Sequence, residues 1–302
     1  MNKNKRLLGH VLALLTAIVW GTSFISTKQL LTDLSPFEIL FLRFAIGYIA
    51  LWILYPKRLK FTDWKTEISI FLAGLSGVTV YFLAENYALT YTYASNVSLL
   101  VSVAPLLTGV LAHFFLSDKL KKNFMIGFVV AIIGIALVSF SGTTVLKLNP
   151  KGDLLAVGAA LLWAIYSIII QNVAGKKINI LTLTRRIFFY GLVTMIPLMF
   201  YLDFSVTKET LLVPTNLLNL LYLGVVSSAI CYITWNKAME ILGAVVASTY
   251  IYIIPVVTVI FSFFILDEKI TVYMLSGIVL VLSGLILSQE QKRQPRQRGK
   301  KR

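Results

Sequence analysis

The chain is poor in everything that soluble catalysis or metal binding needs. It has one cysteine, two histidines and thirteen acids, and only 14% of its residues are charged. Cys231 cannot form an intramolecular disulfide and reads as a small buried apolar residue. His10 and His113 stand apart, with no cysteine or acidic cluster at ligand spacing, which argues against a metal site. There is no G-x-x-x-x-G-K-[ST] phosphate loop, so ATP is not hydrolysed by the usual route. No polar stretch is long enough to fold as a separate catalytic domain. No cofactor, catalytic residue or nucleic-acid partner is expected.

Apolar residues dominate instead: 58% of 302, against roughly 45–50% in soluble domains. Ten runs of the length needed to cross about 30 Å of hydrocarbon stand at about 8–31, 37–55, 68–91, 95–116, 124–141, 153–173, 180–201, 216–239, 245–266 and 272–288. The first is too long for a signal-peptide core and lacks an A-x-A-like cleavage site, so it is expected to remain as a helix. These features predict an all-α membrane protein of ten transmembrane helices.

The sequence also repeats itself. Gly9, Trp20 and Arg43 recur 143 positions later as Gly152, Trp163 and Arg186. Asn86, Ala94, Pro105, Lys119, Gly127 and Gly134 recur 150 positions later as Asn236, Ala244, Pro255, Lys269, Gly277 and Gly284. Five crossings separate the copies, and an odd number inverts the second, so two inverted five-helix repeats are expected, residues 8–142 and 152–288. A basic N-terminus, 1–7, and a basic tail, 289–302, flank them. The net charge of +15 is unevenly spread. With a cytoplasmic N-terminus, 21 Lys and Arg residues fall on the cytoplasmic side and 5 on the other, and the positive-inside rule then places both termini in the cytoplasm of a multi-pass cell-membrane protein. The tail from Gln289 reads as a solvated stop-transfer segment whose charge also attracts acidic lipid headgroups.

Depth along the helices marks candidate site residues. Pro105 lies about 15 Å into the fourth helix, with Pro255 at the matching place in the ninth. Each removes a helical hydrogen bond and frees carbonyls, which makes the pair either hinges at a substrate site or static kinks. Trp20 and Ser23, with Trp163 and Tyr166, are expected to share a cavity with Tyr81, Asn86, Tyr232, Trp235 and Asn236, since aromatic walls with polar edges suit amphipathic organic substrates. Gly127, Gly134, Gly277 and Gly284 are expected to let helices five and ten pack closely. Glu85 is the acid read as deep within a helix, a functional signal by default. Arg43, at about the same depth, is its expected partner. A packing ion pair, proton coupling and a substrate amine are the three roles open to Glu85. Gln171, Glu240 or a substrate carboxylate are the expected partners of Arg186, and Lys28 is expected to snorkel toward the surface.

Trp20-Gly21-Thr22-Ser23-Phe24 with Lys28, Arg43-Phe44, Ala88-Leu89-Thr90-Tyr91 leading to Ala94-Ser95-Asn96, Pro105, and Leu266-Asp267-Glu268-Lys269 together resemble the EamA-type branch of the drug/metabolite transporter superfamily. The resemblance covers about residues 8–288 and runs through both halves. It implies ten helices in two inverted repeats and ATP-independent export of amino acids, metabolites or toxic compounds. Ser117-Asp118 replaces the family's Gly-Glu, and Trp163-Ala164 its Trp-Gly, which sets the two halves apart. The expectation is a secondary transporter exporting small organic metabolites, amino acids or drugs, driven by a gradient such as that of protons, by exchange or by the substrate's own concentration. A membrane-embedded enzyme on lipid-linked substrates and a non-transporting scaffold are the alternatives.

Overall fold

The computed structural model describes residues 3–57, 61, 63–116, 122–139, 150–174, 178–202, 204–268 and 271–289. The described residues are helical, with no strand among them. Eight helices are long and apolar enough to cross a membrane: α1 (Lys3–Leu30), α2 (Pro36–Leu54), α3 (Trp64–Tyr91), α4 (Ala94–Phe115), α6 (Pro150–Val173), α7 (Ile180–Phe200), α8 (Pro214–Leu242) and α9 (Ala244–Ile265). Two shorter apolar stretches, Met125–Gly134 and Val272–Gly284, lie in α5 (Lys122–Ser139) and α10 (Val272–Gln289). Helix α1 begins at Lys3, inside the segment read as a separate basic N-terminus. Apolar runs mark where a helix needs lipid, whereas its polar end needs only hydrogen bonds. The basic tail beyond Gln289, Lys119, Lys147 and Lys269 lie outside the described residues.

Local chemistry fixes the helix starts. Ser35 and Glu38 form a reciprocal capping box ahead of Pro36 at the first turn of α2. Asp63 caps α3 by accepting from Thr66 N at 2.9 Å, and Asn179 caps α7. Gly243, at φ +86°, makes the tight turn between α8 and α9, where a side chain would strain the backbone.

The halves interlock. Helix α1 packs on α8 and α9, while α6 packs on α3 and α4; α2 lies against α8, and α7 against α3. Helices α5 and α10 pair closely through the expected glycines: a Cβ on Gly134 would stand 2.8 Å from Gly277 O, and one on Gly284 2.5 Å from Gly127 O.

The same close approaches correct the repeat offset in α2 and α7. Gly47 meets Gly224 O, and Gly191 meets Gly74. Because Gly74 and Gly224 are 150 positions apart, Gly47 corresponds to Gly191, an offset of 144. Arg43 therefore answers to Ile187 rather than to Arg186. The adjacent arginines Arg185 and Arg186 made the shorter offset look right.

Both long interlocked helices contain a π-helical segment, Leu75–Val80 in α3 and Tyr222–Ile230 in α8. Such segments widen the turn and turn backbone groups away from the α-helical ladder. Both face the centre of the bundle, where their carbonyls are used.

Candidate functional site

An aromatic core gathers where α1, α3, α6 and α8 meet. The rings of Trp20 and Trp163 cross at 89° with centroids 5.1 Å apart, a favoured edge-to-face arrangement. Trp235 lies 4.9 Å from Trp20, and Tyr81 5.1 Å from Trp163. Two of the buried polar edges are satisfied by the π-helical segments: Trp20 Nε1 donates to Ser227 O at 3.0 Å, and Tyr232 OH donates to Gly77 O at 2.5 Å. Gly77 and Ser227 are themselves 150 positions apart, so the two halves offer the same carbonyl to opposite aromatic donors. A Cβ on Gly77 would stand 2.3 Å from Tyr166 Cδ2, so only glycine admits that ring.

A narrow cavity opens beside this core. Its walls come from α1 (Trp20, Ser23, Phe24), α3 (Tyr81, Phe82, Glu85), α4 (Val101), α6 (Trp163) and α9 (Ile251, Ile254). The space amounts to about 20 Å³, on the scale of one water and too small for an organic substrate in this conformation. Of the residues expected to share a cavity, Trp20, Ser23, Tyr81 and Trp163 line it. The others stand behind it. Tyr166 OH donates to Asn236 Oδ1 at 2.7 Å, Asn236 donates to Thr184 Oγ1, and Asn86 donates to Pro36 O. These bonds tie helices together.

The prolines act on the cavity wall through the backbone. Pro105 and Pro255 cannot donate to the carbonyls four residues back, those of Val101 and Ile251, and both residues line the cavity. Just before Pro105, α4 breaks at Ser102–Val103, where Ser102 N bonds Leu99 O and Val103 N bonds Leu100 O. Just before Pro255, α9 tightens to a 3₁₀ turn over Thr249–Tyr252.

Glu85 lines the cavity, and its Oε2 accepts from Tyr81 OH at 2.5 Å. Arg43 does not pair with it in this structure. The guanidinium is fully buried and donates through Nε to Ser228 Oγ at 3.1 Å and through Nη2 to Ser227 Oγ at 3.2 Å. Its Cζ lies 4.2 Å from the centre of the Phe82 ring, while Nη1 has no partner among the described residues. The π-helical turn accounts for the difference, because it brings two serine hydroxyls within reach on the side of α8.

Arg186 pairs with neither Gln171 nor Glu240. It meets Glu67 Oε1 at 2.9 Å, and Glu67 also accepts from Tyr190 OH. Gln171 accepts from Ala244 N at the start of α9, and Glu240 pairs with Lys237. Lys28 turns inward rather than snorkelling: it donates to Leu89 O and Thr92 O and so caps the end of α3. Beside it Glu268, 6% exposed, accepts from Ala94 N at 2.8 Å and Ser95 Oγ at 2.6 Å, capping α4. Glu67 and Glu268 lie near helix ends, so a search for acids deep within apolar runs passes over them. Phe24, Phe82, Val101, Ile251 and Ile254 carry no polar signal and were legible only from position.

Comparison with known proteins agrees with this architecture. An uncharacterized transporter of Archaeoglobus fulgidus is 26% identical over 289 residues, spanning 94% of this chain and 98% of its own. An uncharacterized transporter of Clostridium kluyveri is 28% identical over 294 residues, spanning 93% and 92%. A solved crystal structure, 18% identical, superposes with a TM-score of 0.68 over 96% of this chain and 97% of its own, a likeness of fold alone. The model of the EamA-like transporter family matches twice, over residues 7–140 and 150–289. With nearly its whole length matched in two copies, the chain belongs to the EamA-like transporter family.

Proposed function

We propose that the chain is a secondary transporter that exports small organic metabolites, amino acids or drugs across the cytoplasmic membrane by alternating access. The observation that carries the reading is the cavity: both halves contribute to one aromatic wall, and its α4 and α9 sides are interrupted just before paired prolines. On this reading α5 and α10 also cross the membrane, the second half is inverted relative to the first, and both termini are cytoplasmic. Rocking of one half against the other would open the cavity first to one side and then to the other. Pro105 and Pro255 are the hinges. Glu85 is the coupling group or the substrate's counter-ion, and the buried Arg43 fixes the potential around it.

Purified protein in liposomes tests this. Flux of a substrate without covalent change is expected; product formation would indicate an enzyme, and neither would leave a scaffold. Untargeted comparison of medium and cell metabolites between overproducing and deletion strains supplies candidate substrates, and accumulation in the medium on overproduction is the expected sign of export.

A further inference from the structure

The cavity has a sign. Its one ionisable carboxylate, Glu85, gives Oε2 to Tyr81 and has no cation within ion-pair distance among the described residues. Around it stand five aromatic residues, Trp20, Phe24, Tyr81, Phe82 and Trp163. Ring faces are negative, so those of Trp20, Phe24, Tyr81 and Trp163 add to the carboxylate's attraction for a cation, while Phe82 already carries the Arg43 guanidinium. The nearest guanidinium is kept out of the lining: Arg43 is held by Ser227 and Ser228 and rests on the Phe82 ring. Trp163 Nε1 is buried without a partner among the described residues and suits an acceptor on the body of a ligand, away from its charged end.

We infer that the site selects organic cations: a primary or quaternary ammonium set against Glu85, carried on a flat apolar body that fits between the aromatic rings. This rests on the transport reading for how the ligand enters, since the cavity must widen to admit it. Anions of the same shape are excluded, because their charge would face Glu85 and the ring faces with no cation in the wall to receive it. Zwitterions fall between, gaining at the ammonium and losing at the carboxylate.

Three ligands with one phenyl body separate these cases: phenethylamine, phenylalanine and 3-phenylpropionate, each tested with the full-length protein at neutral pH. Binding is read from tryptophan fluorescence in nanodiscs, and flux from liposomes. Phenethylamine is expected to bind at least about tenfold more tightly than 3-phenylpropionate. Glu85→Gln should weaken phenethylamine by about thirtyfold or more and leave 3-phenylpropionate unchanged. Glu85→Asp keeps the charge and should keep the order of preference, and the wild-type ranking decides even where Glu85→Gln does not fold. Tighter binding of 3-phenylpropionate or phenylalanine, or no binding of phenethylamine, overturns the inference. Phenethylamine binding that needs Glu85, with no flux of any of the three, upholds the cation site and counts against transport.

Discussion

Glu268 offers the sharpest test of the proposed alternating access. Its carboxylate sits at the end of α9 and accepts from Ala94 N, Ser95 N and Ser95 Oγ at the start of α4, at 2.8, 3.3 and 2.6 Å. It therefore joins two helices whose middles line the cavity. Hydrogen bonds to a charged group contribute about 1.5–3 kcal/mol each, against about 0.5–1.5 for neutral ones. Glu268→Gln keeps one acceptor oxygen but loses the charge. It should cost the closed arrangement about 2–4 kcal/mol, once the weak 3.3 Å bond is discounted. If the open arrangement lacks these bonds, the ratio of open to closed rises roughly thirtyfold to several hundredfold.

The assay needs one reporter thiol. Cys231 is the sole cysteine, so Cys231→Ala with Ser23→Cys places the thiol in the cavity wall. In sealed vesicles, maleimide labelling of Ser23→Cys from the side where α1 and α9 end should accelerate by the same factor in the Glu268→Gln background. Labelling from the other side should slow. Equal rates with and without the carboxylate would refute the argument, and a general loss of folded yield with no change of sidedness would make Glu268 a stabilising cap only.

Four further outcomes follow from the structure. Pro105→Ala and Pro255→Ala should leave folded protein in the membrane and slow transport by restoring the bonds to Val101 O and Ile251 O; unchanged flux in both singles and in the double would make them static kinks. Because Arg43 is held by Ser227 and Ser228 and not by Glu85, exchanging the charges as Glu85→Arg with Arg43→Glu should fail to recover the folded yield lost in either single; recovery in detergent extracts would show that the pair forms in another conformation. Gly134→Ala would bring a Cβ to 2.7 Å from Val281 N, so it should destabilise the α5–α10 pair by about 1–3 kcal/mol, read as a lower unfolding temperature. Reporters fused after Arg302 and near Arg58 should both report cytoplasm and one at Lys147 the outside; a cytoplasmic signal at Lys147 would remove the inversion of the second half.

What was legible in the sequence follows a physical line. Apolar runs and repeated glycines and prolines are read directly, because burial and close approach constrain residue type at fixed positions. Trp20, Tyr81, Glu85 and Trp163 were found the same way, as polar or aromatic groups too deep to ignore. The π-helical segments were not found, since nothing in Leu75–Val80 breaks an α-helical pattern. Their effect was large: they turned Arg43 toward serines and supplied carbonyls to Trp20 and Tyr232. In Tyr222–Ile230 the adjacent Ser227 and Ser228, in mid-span of an apolar helix, were the signal available. The partners of Arg186, Gln171 and Lys28 were missed for another reason. Each depends on which helices become neighbours, and an offset error of a single residue reassigns an arginine from the core to the rim.

The two halves share packing but not charge, and on the proposed transport reading this bears on how two gates would differ. Under the 150-position shift, Glu85 corresponds to Trp235 and Tyr81 to Cys231; under the shift that relates α1 to α6, Lys28 corresponds to Gln171. Lys28 donates its ammonium to the last turn of α3, whereas Gln171 accepts one N–H from the start of α9 through a neutral amide. The cap at Lys28 is thus charged and its counterpart at Gln171 neutral, although the Gln171 end also holds the Arg186–Glu67 pair and the bonds of Arg185 to Tyr55 O and Lys57 O. Charged caps gain more in a dry closed state and lose more when water enters. The two matched caps therefore differ in their response to ionic strength. Raising salt should favour opening at the Lys28 and Glu268 end, and Lys28→Gln, which copies the other half, should reduce that dependence while Glu268 keeps its charged cap. The labelling assay at Ser23→Cys reads it directly, and an equal salt response of that face with and without Lys28→Gln would refute the assignment.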